Sequence, residues 1–369
     1  MSFIPVNTPD VSGNEKKYLI ECIDSNWISS EGPFVEKFEA GFSKYIGTKF
    51  GVAVSSGTAA LDVLVDFLDL KSGDEVIVPS FTIVSVVAQI IRSGATPIFA
   101  DCDTDTWNIG VNEVERLFSA KTKAVIIVHT YGHPVDLDPI ASYCNDKGVF
   151  LIEDSAEMHG QTYKGRMCGS LADASTFSFY PNKHLTTGEG GMVLTDRKDV
   201  ADHVRAARNL FFGPKRYIHE RLGWNYRMTN MQAAIGCAQL ERIGDFIERK
   251  REIGRKYRSA FGGIRNIQML KQHTDYSESI DWVFGIVLTG AQSKNRDKVC
   301  QFLGENGIGT RSFFYPLHLQ PFIQKEFGLS PKLPECERIA KAGFYIPSGL
   351  GMTDSEQDRV IRLVQETLK

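Results

Sequence analysis

The chain has 369 residues, of which 42% are hydrophobic and 24% are charged, and its formal net charge is −3. This composition is typical of a globular protein, and a nearly neutral chain is not expected to bind nucleic acid or a membrane surface. No apolar run reaches the roughly 18 residues of a membrane helix, and the N-terminus has no basic or apolar signal region, so we expect a cytoplasmic protein.

Residues 48–195 alternate short β-branched runs with segments of helical length. Strands are predicted at 52–55, 75–78, 97–100, 124–129 and 150–153. Helix-length segments lie between several of them, for example at 58–70 and 84–93. The alternation predicts an α/β domain with a largely parallel sheet covered on both faces. In such a sheet, ligands bind at the carboxyl ends of the strands.

The rest of the chain is organised differently. A long helical region runs from 229 to about 261, a strand is predicted at 282–288 and a helix at 295–306. A chain of this length usually divides into more than one core. We therefore expect a large α/β domain at 1–261 and a small α+β domain at 262–369, and we allow for the first forty or so residues packing on the small domain.

The seven cysteines are scattered, odd in number and without a C-x-x-C motif, and none lies beside a histidine at ligand spacing. This pattern is typical of reduced, mostly buried thiols, and we expect no metal site.

A strand-to-helix turn follows the first predicted strand and reads Ser56-Gly57-Thr58. Free amides at a helix N-terminus, with hydroxyls beside them, make a site suited to a phosphate monoester. A plain N-cap with a tight turn explains the same residues, so the turn alone leaves both interpretations open.

The predicted strand at 150–153 is followed by a second carboxylate, so that Glu153 and Asp154 lie at its end. A carboxylate there can keep a ring nitrogen of a bound ligand protonated, because the ion pair stabilises the cation. A pair of solvated acids at the strand end is the alternative.

The polar loop at 175–191 is the most informative segment. It places Lys183 between two strand-like runs, 176–179 and 191–195, with glycines at positions 188, 190 and 191. A lysine amine in such a pocket can form an imine with a carbonyl if its neighbours lower its pKa. Pyridoxal phosphate enzymes need such a lysine, although a single lysine is usually a solvated surface charge.

Two other residues could complete a phosphate site. Ser178 precedes the lysine in the same loop, and a chain that folds back would bring its hydroxyl to the phosphate held by Gly57 and Thr58. Asn225 lies just before a predicted helix, from which it could reach a phosphate in its own subunit or in a partner's.

Over essentially its whole length the chain resembles the DegT/DnrJ/EryC1/StrS family of pyridoxal phosphate-dependent sugar aminotransferases. The motifs that carry the resemblance are WISSEG at 27–32, SGTAAL at 56–61, GDEVIVPS at 73–80, EDSAE at 153–157, FSFYPNK at 177–183, TTGEGGM at 186–192 and NYRMTN at 225–230. The resemblance implies the aspartate-aminotransferase type of fold, known as fold type I.

The resemblance also implies roles for individual residues. Lys183 would bond pyridoxal 5′-phosphate covalently and then shuttle a proton to the sugar carbon, and Asp154 would pair with the pyridine nitrogen. The remaining cofactor residues would surround the ring and the phosphate, and they are Ser56, Gly57, Thr58, Ile83, Ala156, Glu157, Ser178 and Asn225. Asn225 would come from the second subunit, which implies a homodimer with shared active sites.

The same resemblance points to a substrate. The motifs at 27–30, 131–134, 177–183 and 225–230 are similar to the branch that aminates GDP-4-keto-6-deoxymannose at C4. L-glutamate would be the amino donor, pyridoxamine 5′-phosphate the intermediate form of the cofactor, and a surface glycan such as O-antigen the destination. The substrate residues expected on this basis are Trp27, Arg227, Arg311, Tyr315 and His318.

Three alternatives remain open at this point. A UDP- or dTDP-linked keto-sugar, aminated at C3 or C4, would use much the same cofactor motifs. The dehydratase branch of the family has histidine in place of the lysine, so Lys183 argues against it. A non-catalytic regulator that retains the fold is disfavoured by the intact cofactor residues.

Two positions depart from the family pattern. Relatives usually have a stacking aromatic residue where this chain has Ile83, which covers a ring by dispersion without the extra ~0.5–1.5 kcal/mol of aromatic pairing. Pro181 fixes φ in the lysine loop and removes a donor, so a slightly different loop path is expected.

Overall fold

The computed structural model describes residues 2–215, 217–328 and 331–368. Its larger sheet has seven strands in the order β1-β9-β8-β5-β4-β2-β3. In chain order the first nine strands are β1 (Phe50–Val54), β2 (Glu75–Pro79), β3 (Thr96–Ala100), β4 (Thr122–Val128), β5 (Phe150–Asp154), β6 (Thr162–Tyr163), β7 (Arg166–Met167), β8 (Ala174–Ser178) and β9 (Gly191–Thr195). The short β6 and β7 form a separate two-stranded sheet.

The core of this sheet is parallel. β3, β2, β4, β5 and β8 run parallel to one another, whereas β9 is antiparallel to both β8 and β1. The prediction of an α/β fold with a mostly parallel sheet is therefore confirmed. Parallel strands end at the same edge of the sheet, which brings the ends of β5 and β8 close together.

Within the described residues the helices are α1 (Glu15–Asp24), α2 (Pro33–Ile46), α3 (Gly57–Phe67), α4 (Ser85–Arg92), α5 (Val111–Leu117), α6 (Leu137–Lys147), α7 (Lys198–Ala207), α8 (Asn230–Leu240), α9 (Ile243–Phe261), α10 (Arg296–Glu305), α11 (Pro321–Phe327), α12 (Pro334–Ala342) and α13 (Asp354–Thr367). Single 3₁₀ turns lie at Gly290–Lys294 and Leu317–Leu319. No helix in the described ranges combines the length and the apolar character needed to cross a bilayer.

Both faces of the large sheet are covered, as the near-continuous apolar strands predict. On β2, Val76 and Val78 belong to one hydrophobic cluster, whereas Ile77 between them belongs to another. Successive side chains of a strand point to opposite faces, so the two clusters are the two sides of the sheet. The sheet is thus a buried layer with helices on each side.

A second, antiparallel sheet has the order β10-β11-β13-β12. Its strands are β10 (Ile267–Met269), β11 (Phe284–Leu288), β12 (Arg311–Ser312) and β13 (Gly343–Ile346). Its core includes Ile253, Tyr257 and Phe261 from α9, so this helix packs directly against the small sheet. The division of the chain at residue 262 remains a prediction, and its outer limits, Met1 and Lys369, lie outside the described residues.

The N-terminal segment contacts both the region of the small sheet and helix α8. Ile4 pairs with Ile308, and the carbonyl of Val6 accepts a hydrogen bond from the amide of Ser348, which follows β13. Helices α1 and α2 pack instead against α8. The first few residues therefore lie on the small sheet, whereas the two helices that follow do not.

Candidate active site

A cavity of about 360 Å³ opens where β5 and β8 end and α3 begins. Nine of the predicted cofactor or catalytic residues line it, and they are Ser56, Gly57, Thr58, Ile83, Asp154, Ala156, Glu157, Ser178 and Lys183. The volume is within the range of sites that hold a cofactor-sized ligand. Strands far apart in the sequence thus bring these side chains to one edge of the sheet.

The N-terminus of α3 forms one end of the cavity. Ser56 is its N-cap residue, and its hydroxyl accepts a hydrogen bond from the amide of Ala59 at 3.1 Å. The first amides of a helix have no partner within it, so the amides of Gly57 and Thr58 remain available to an anion. The Thr58 hydroxyl lies 2.7 Å from that of Ser85, at the start of α4. Capping and anion binding are therefore compatible in this turn.

Close backbone approaches explain two glycines at this end. A Cβ at Gly57 would lie 2.8 Å from Cβ of Ser178, and a Cβ at Gly191 would lie 2.3 Å from the carbonyl oxygen of Ser56. Both contacts are far shorter than any ordinary van der Waals distance. The glycines let β8, β9 and α3 meet, which places the Ser178 hydroxyl beside the helix N-terminus.

Asp154 ends β5 and lines the cavity. Its Oδ1 accepts hydrogen bonds from the amide of Ala156 at 3.1 Å and from the hydroxyl of Thr176 at 3.4 Å. Its Oδ2 accepts none from any residue that the structure describes, and burial raises the pKa of this carboxyl. A buried carboxylate with one oxygen free favours a cationic ligand group.

The neighbouring carboxylate, Glu153, points to the opposite side of the strand. It is fully buried and accepts hydrogen bonds from Ser155 Oγ at 3.1 Å and from the amide of Leu171 at 3.1 Å. The ring Nε2 of His129 lies 2.9 Å from it. The two acids, which the residue pattern alone does not distinguish, are therefore distinct, because of the two it is Asp154 that lines the cavity.

Lys183 lies in the cavity with a side chain that is 10% exposed. Its Nζ is 3.8 Å from Oε1 of Glu157 and 3.8 Å from the centroid of the Trp282 ring. Burial lowers the pKa of Lys183 and raises the pKa of Glu157 to about 8, because desolvation disfavours both charges. A lowered pKa gives an amine that can attack a carbonyl.

Backbone and side-chain bonds fix the loop around this lysine. The amide of Lys183 donates to the carbonyl of Tyr180 at 2.9 Å, and the hydroxyl of Thr186 donates to the carbonyl of Phe179 at 2.9 Å. Gly188 adopts a φ of 82°, which L side chains rarely adopt. The loop is therefore a tightly folded turn between β8 and β9, as its glycines predict.

The sequence interpretation missed several lining residues. Thr176 lies two positions before Ser178 on β8, so the period of two along a strand could have identified it as facing the same side. Trp282, Phe314 and Tyr345 also line the cavity. They come from segments far from Lys183 in the sequence, and no local motif predicts that they line the cavity.

The predicted substrate residues, unlike most of the predicted cofactor residues, do not line the first cavity. Arg311 lines a neighbouring cavity of about 500 Å³, which shares Tyr180, Asn182 and Tyr345 with the first. Tyr315 is 57% exposed and lies outside both linings. The two cavities are thus adjacent, and Arg311 is the predicted substrate residue that lines the second one.

Trp27, Asn225 and Arg227 also lie outside the first lining. Trp27 is 49% exposed, and Asn225 is exposed on the strand-like segment that pairs with Asn209. The Arg227 guanidinium donates to Oδ1 of Asn209 at 2.6 Å. Within one chain, these three residues do not reach the cavity.

The geometry argues against the substrate role predicted for His318. This side chain is fully buried, with Nδ1 2.7 Å from the hydroxyl of Ser80 and Nε2 3.3 Å from Glu337. It lies outside both cavity linings. Its two ring nitrogens are occupied in joining α12 to the end of β2, so we regard it as a structural residue.

Known proteins resemble this chain over nearly its whole length. Residues 9–365 match the model of the DegT/DnrJ/EryC1/StrS aminotransferase family. Two relatives named GDP-perosamine synthase are 39% identical (Escherichia coli O157:H7, 99% of both chains) and 38% identical (Vibrio cholerae, 98% of both chains). The PLP form of Spr1654 from Streptococcus pneumoniae has a TM-score of 0.92 at 27% identity, over 100% of both chains.

The family match covers nearly the whole chain, and the cavity has the lysine, the acid and the helix N-terminus that pyridoxal phosphate requires. The chain belongs to the DegT/DnrJ/EryC1/StrS aminotransferase family and is a pyridoxal phosphate-dependent sugar aminotransferase.

Proposed function

We propose that the enzyme transfers the amino group of L-glutamate to C4 of GDP-4-keto-6-deoxymannose, which yields GDP-perosamine for a surface glycan such as O-antigen. The observation that supports this substrate most directly is the likeness to the two GDP-perosamine synthases over almost the full length of each chain. The chemistry itself rests on the cavity around Lys183.

The cavity fits the cofactor at its phosphate end. The amides of Gly57 and Thr58, together with the hydroxyls of Thr58 and Ser178, would hold the phosphate, while Ser56 caps the helix that carries those amides. The bound cofactor supplies an electron sink for breaking bonds at the amino-bearing carbon.

The other end of the cavity fits the pyridine ring. Asp154 Oδ2 would accept a hydrogen bond from a protonated ring nitrogen, and the ion pair would stabilise the protonated form of the ring. Burial raises the pKa of Asp154, and a cationic partner would offset that shift. Ala156, Glu157 and Ile83 would lie against the ring and its substituents.

Lys183 would carry the cofactor covalently and move the proton during transfer. Its lowered pKa leaves a larger share of free amine at neutral pH than an exposed lysine has, which suits both the attack and the proton transfer. Glu157 lies near Nζ, at 3.8 Å, and could receive a proton from it or return one. The tightly bonded turn around residue 183 holds the amine in place.

We further propose that the active unit is a homodimer. Asn225 is exposed and lies outside the cavity of its own chain, so a position in the partner's site would give its amide a phosphate to bind. Trp27 and Arg227 are exposed or half-buried outside the cavity as well, and the same arrangement would bring them toward a substrate.

Mixing two inactive variants tests the shared site. Lys183→Ala and Asn225→Ala would each be inactive or impaired as pure dimers, but a mixed dimer would regain one site with both native residues. Recovery of activity after subunit exchange supports the shared site. A mixture that is shown to contain mixed dimers and is no more active than its parents would refute it.

A substrate panel tests the reaction. Purified enzyme with L-glutamate is offered GDP-, UDP- and dTDP-linked keto-sugars, and the amino products are detected by mass. We expect the GDP-4-keto-6-deoxy sugar to react fastest. If the enzyme prefers a UDP- or dTDP-sugar, the proposed substrate is wrong. If the enzyme reacts with glutamate but aminates none of the sugars, the proposed function is refuted.

A further inference from the structure

A buried lysine outside the cavity, Lys250 on α9, holds the segment that carries Trp282. Lys250 is only 2% exposed. Its Nζ donates to the carbonyl oxygens of Trp282 at 2.8 Å and of Ser348 at 2.6 Å, and it lies 3.4 Å from the hydroxyl of Ser348. These partners are neutral, and burial lowers the pKa of Lys250 to about 7. No carboxylate lies within ion-pair distance of Nζ in the described part of the chain.

The topology of the small sheet explains why one amine reaches both carbonyls. β11 and β13 are antiparallel neighbours in which Phe284 faces Ile346. The same register places Trp282 opposite Ser348, just beyond the end of the ladder. Lys250 therefore joins two chain segments at the point where backbone pairing stops, in a place where an unpaired buried carbonyl would be costly.

Further contacts clamp the same segment. One turn along α9, a Cβ at Gly254 would lie 2.4 Å from Oδ2 of Asp281, and the Nε of Arg258 donates to that oxygen at 3.1 Å. On the other side, a Cβ at Gly132 would lie 2.4 Å from the amide nitrogen of Trp282. Residues 281 and 282 thus fill the space between α9 and the loop at Gly132, with little room to shift.

The side chain of Trp282 connects this segment to the cavity. Its indole Nε1 donates to the carbonyl of Asn182 at 2.8 Å, and its ring lies 3.8 Å from Nζ of Lys183. An amine over a tryptophan ring is attracted to it when protonated, and the ring shields the amine from solvent in either state. A displaced Trp282 backbone would move both contacts.

We propose that Lys250 is a positioning residue for Lys183 and acts through Trp282, an inference that rests on the proposed role of Lys183 as the covalent lysine. Lys250 does not itself line the cavity, and it contacts the lining through its hydrogen bond to the backbone carbonyl of Trp282. Its effect on the reaction is therefore an effect on where Lys183 and the loop around it lie.

Three variants test this role. Lys250→Met removes the bonds, and Lys250→Arg keeps donors for the same carbonyls. Lys256→Met is the matched control, since Lys256 is on the same helix but is half-buried and pairs with Asp358, away from the Trp282 segment. The first measurement is the rate at which Lys183 of the full-length, cofactor-free chain is labelled by trinitrobenzenesulfonate, followed by peptide mass mapping. The second is the half-reaction of the holoenzyme with L-glutamate alone.

Lys250→Met should raise the labelling rate of Lys183 about threefold or more, because the indole no longer shields the amine. It should lower the maximal rate with glutamate about 10- to 100-fold with a much smaller change in KM, as expected for misplacement of a reacting group. Lys250→Arg should recover most of both effects, and Lys256→Met should match the wild type.

A Lys250→Met protein that melts earlier but matches Lys256→Met in labelling and in glutamate rate would overturn the proposal, because Lys250 would then only stabilise the fold. If Lys250→Met does not fold, Lys250→Gln, which keeps one donor, is judged by the same criteria. A wild type that does not react with glutamate would refute the proposed function, whereas the labelling contrast would still decide the role of Lys250.

Discussion

The floor and the mouth of the cavity are built in different ways. By floor we mean the side formed by the large sheet, with Gly57, Thr58, Asp154, Ser178 and Lys183. By mouth we mean the side next to the small sheet, with Trp282 and Tyr345 in the lining and Arg311 in the adjacent cavity. Floor residues lie at the ends of neighbouring strands or in the turns that follow them, so the large sheet alone brings them together. Mouth residues come from the small sheet or its flanks. On the proposed function, the floor would hold the cofactor and the mouth would contact the sugar nucleotide.

Replacing the floor lysine should have the largest effect. Lys183→Ala should lower turnover by at least about 10³-fold, because both the covalent attachment and the proton transfer are lost. The melting temperature should change little, since a buried amine with a lowered pKa contributes little to stability. Steady-state kinetics and thermal unfolding measure the two quantities, and substantial remaining activity in a folded variant would contradict the mechanism.

Substitutions of the two adjacent acids of β5 should have different effects, one on catalysis and the other on stability. Asp154→Asn should lower kcat about 100-fold, because the ring nitrogen loses its charged partner. Glu153→Gln should lower the free energy of unfolding by about 1–3 kcal/mol with a much smaller effect on kcat per folded molecule, because Glu153 only accepts buried hydrogen bonds. Chemical denaturation and kinetics of both variants check this contrast. If both variants lost the same share of kcat, the orientation of an acid toward the cavity would not explain its role in catalysis.

A change in the mouth should alter affinity for the sugar nucleotide rather than the chemical step. Arg311→Met should raise KM for the sugar nucleotide about tenfold, the size expected for one lost bond to a charged group, and leave kcat within about twofold. Arg265→Met is the control, because Arg265 is an exposed arginine outside both cavity linings. A fall in kcat at constant KM would place Arg311 in the chemistry instead.

The smallest expected effect is at the edge of the floor. Ile83 is 50% exposed in the cavity lining, and Ile83→Phe would add a stacking surface. Aromatic pairing of ~0.5–1.5 kcal/mol corresponds to cofactor binding that is about 2- to 10-fold tighter. Titration of the cofactor-free chain with pyridoxal phosphate measures the change. Weaker binding would mean that the pocket is shaped around an aliphatic residue.

The difference between the floor and the mouth also explains which parts of the site could be predicted from the sequence. β5, predicted at 150–153, is observed at 150–154, and the floor motifs were found because their spacing is local to strand ends and turns. Trp282 lies 100 residues from Asn182, whose carbonyl it contacts, and its place depends on packing against α9. The resemblance implies a substrate role for His318, but its ring contacts Ser80, which is 238 residues away in the chain. Long-range packing of this kind leaves no local pattern.

Lys183 is the residue that is proposed to carry the cofactor. Reduction of the holoenzyme with borohydride, followed by proteolysis and mass mapping, identifies the lysine to which the cofactor is bonded. We expect a stoichiometric phosphopyridoxyl group on the peptide that contains Lys183. Attachment to another lysine, such as the buried Lys250, or no attachment in an enzyme that still aminates its sugar, would contradict it.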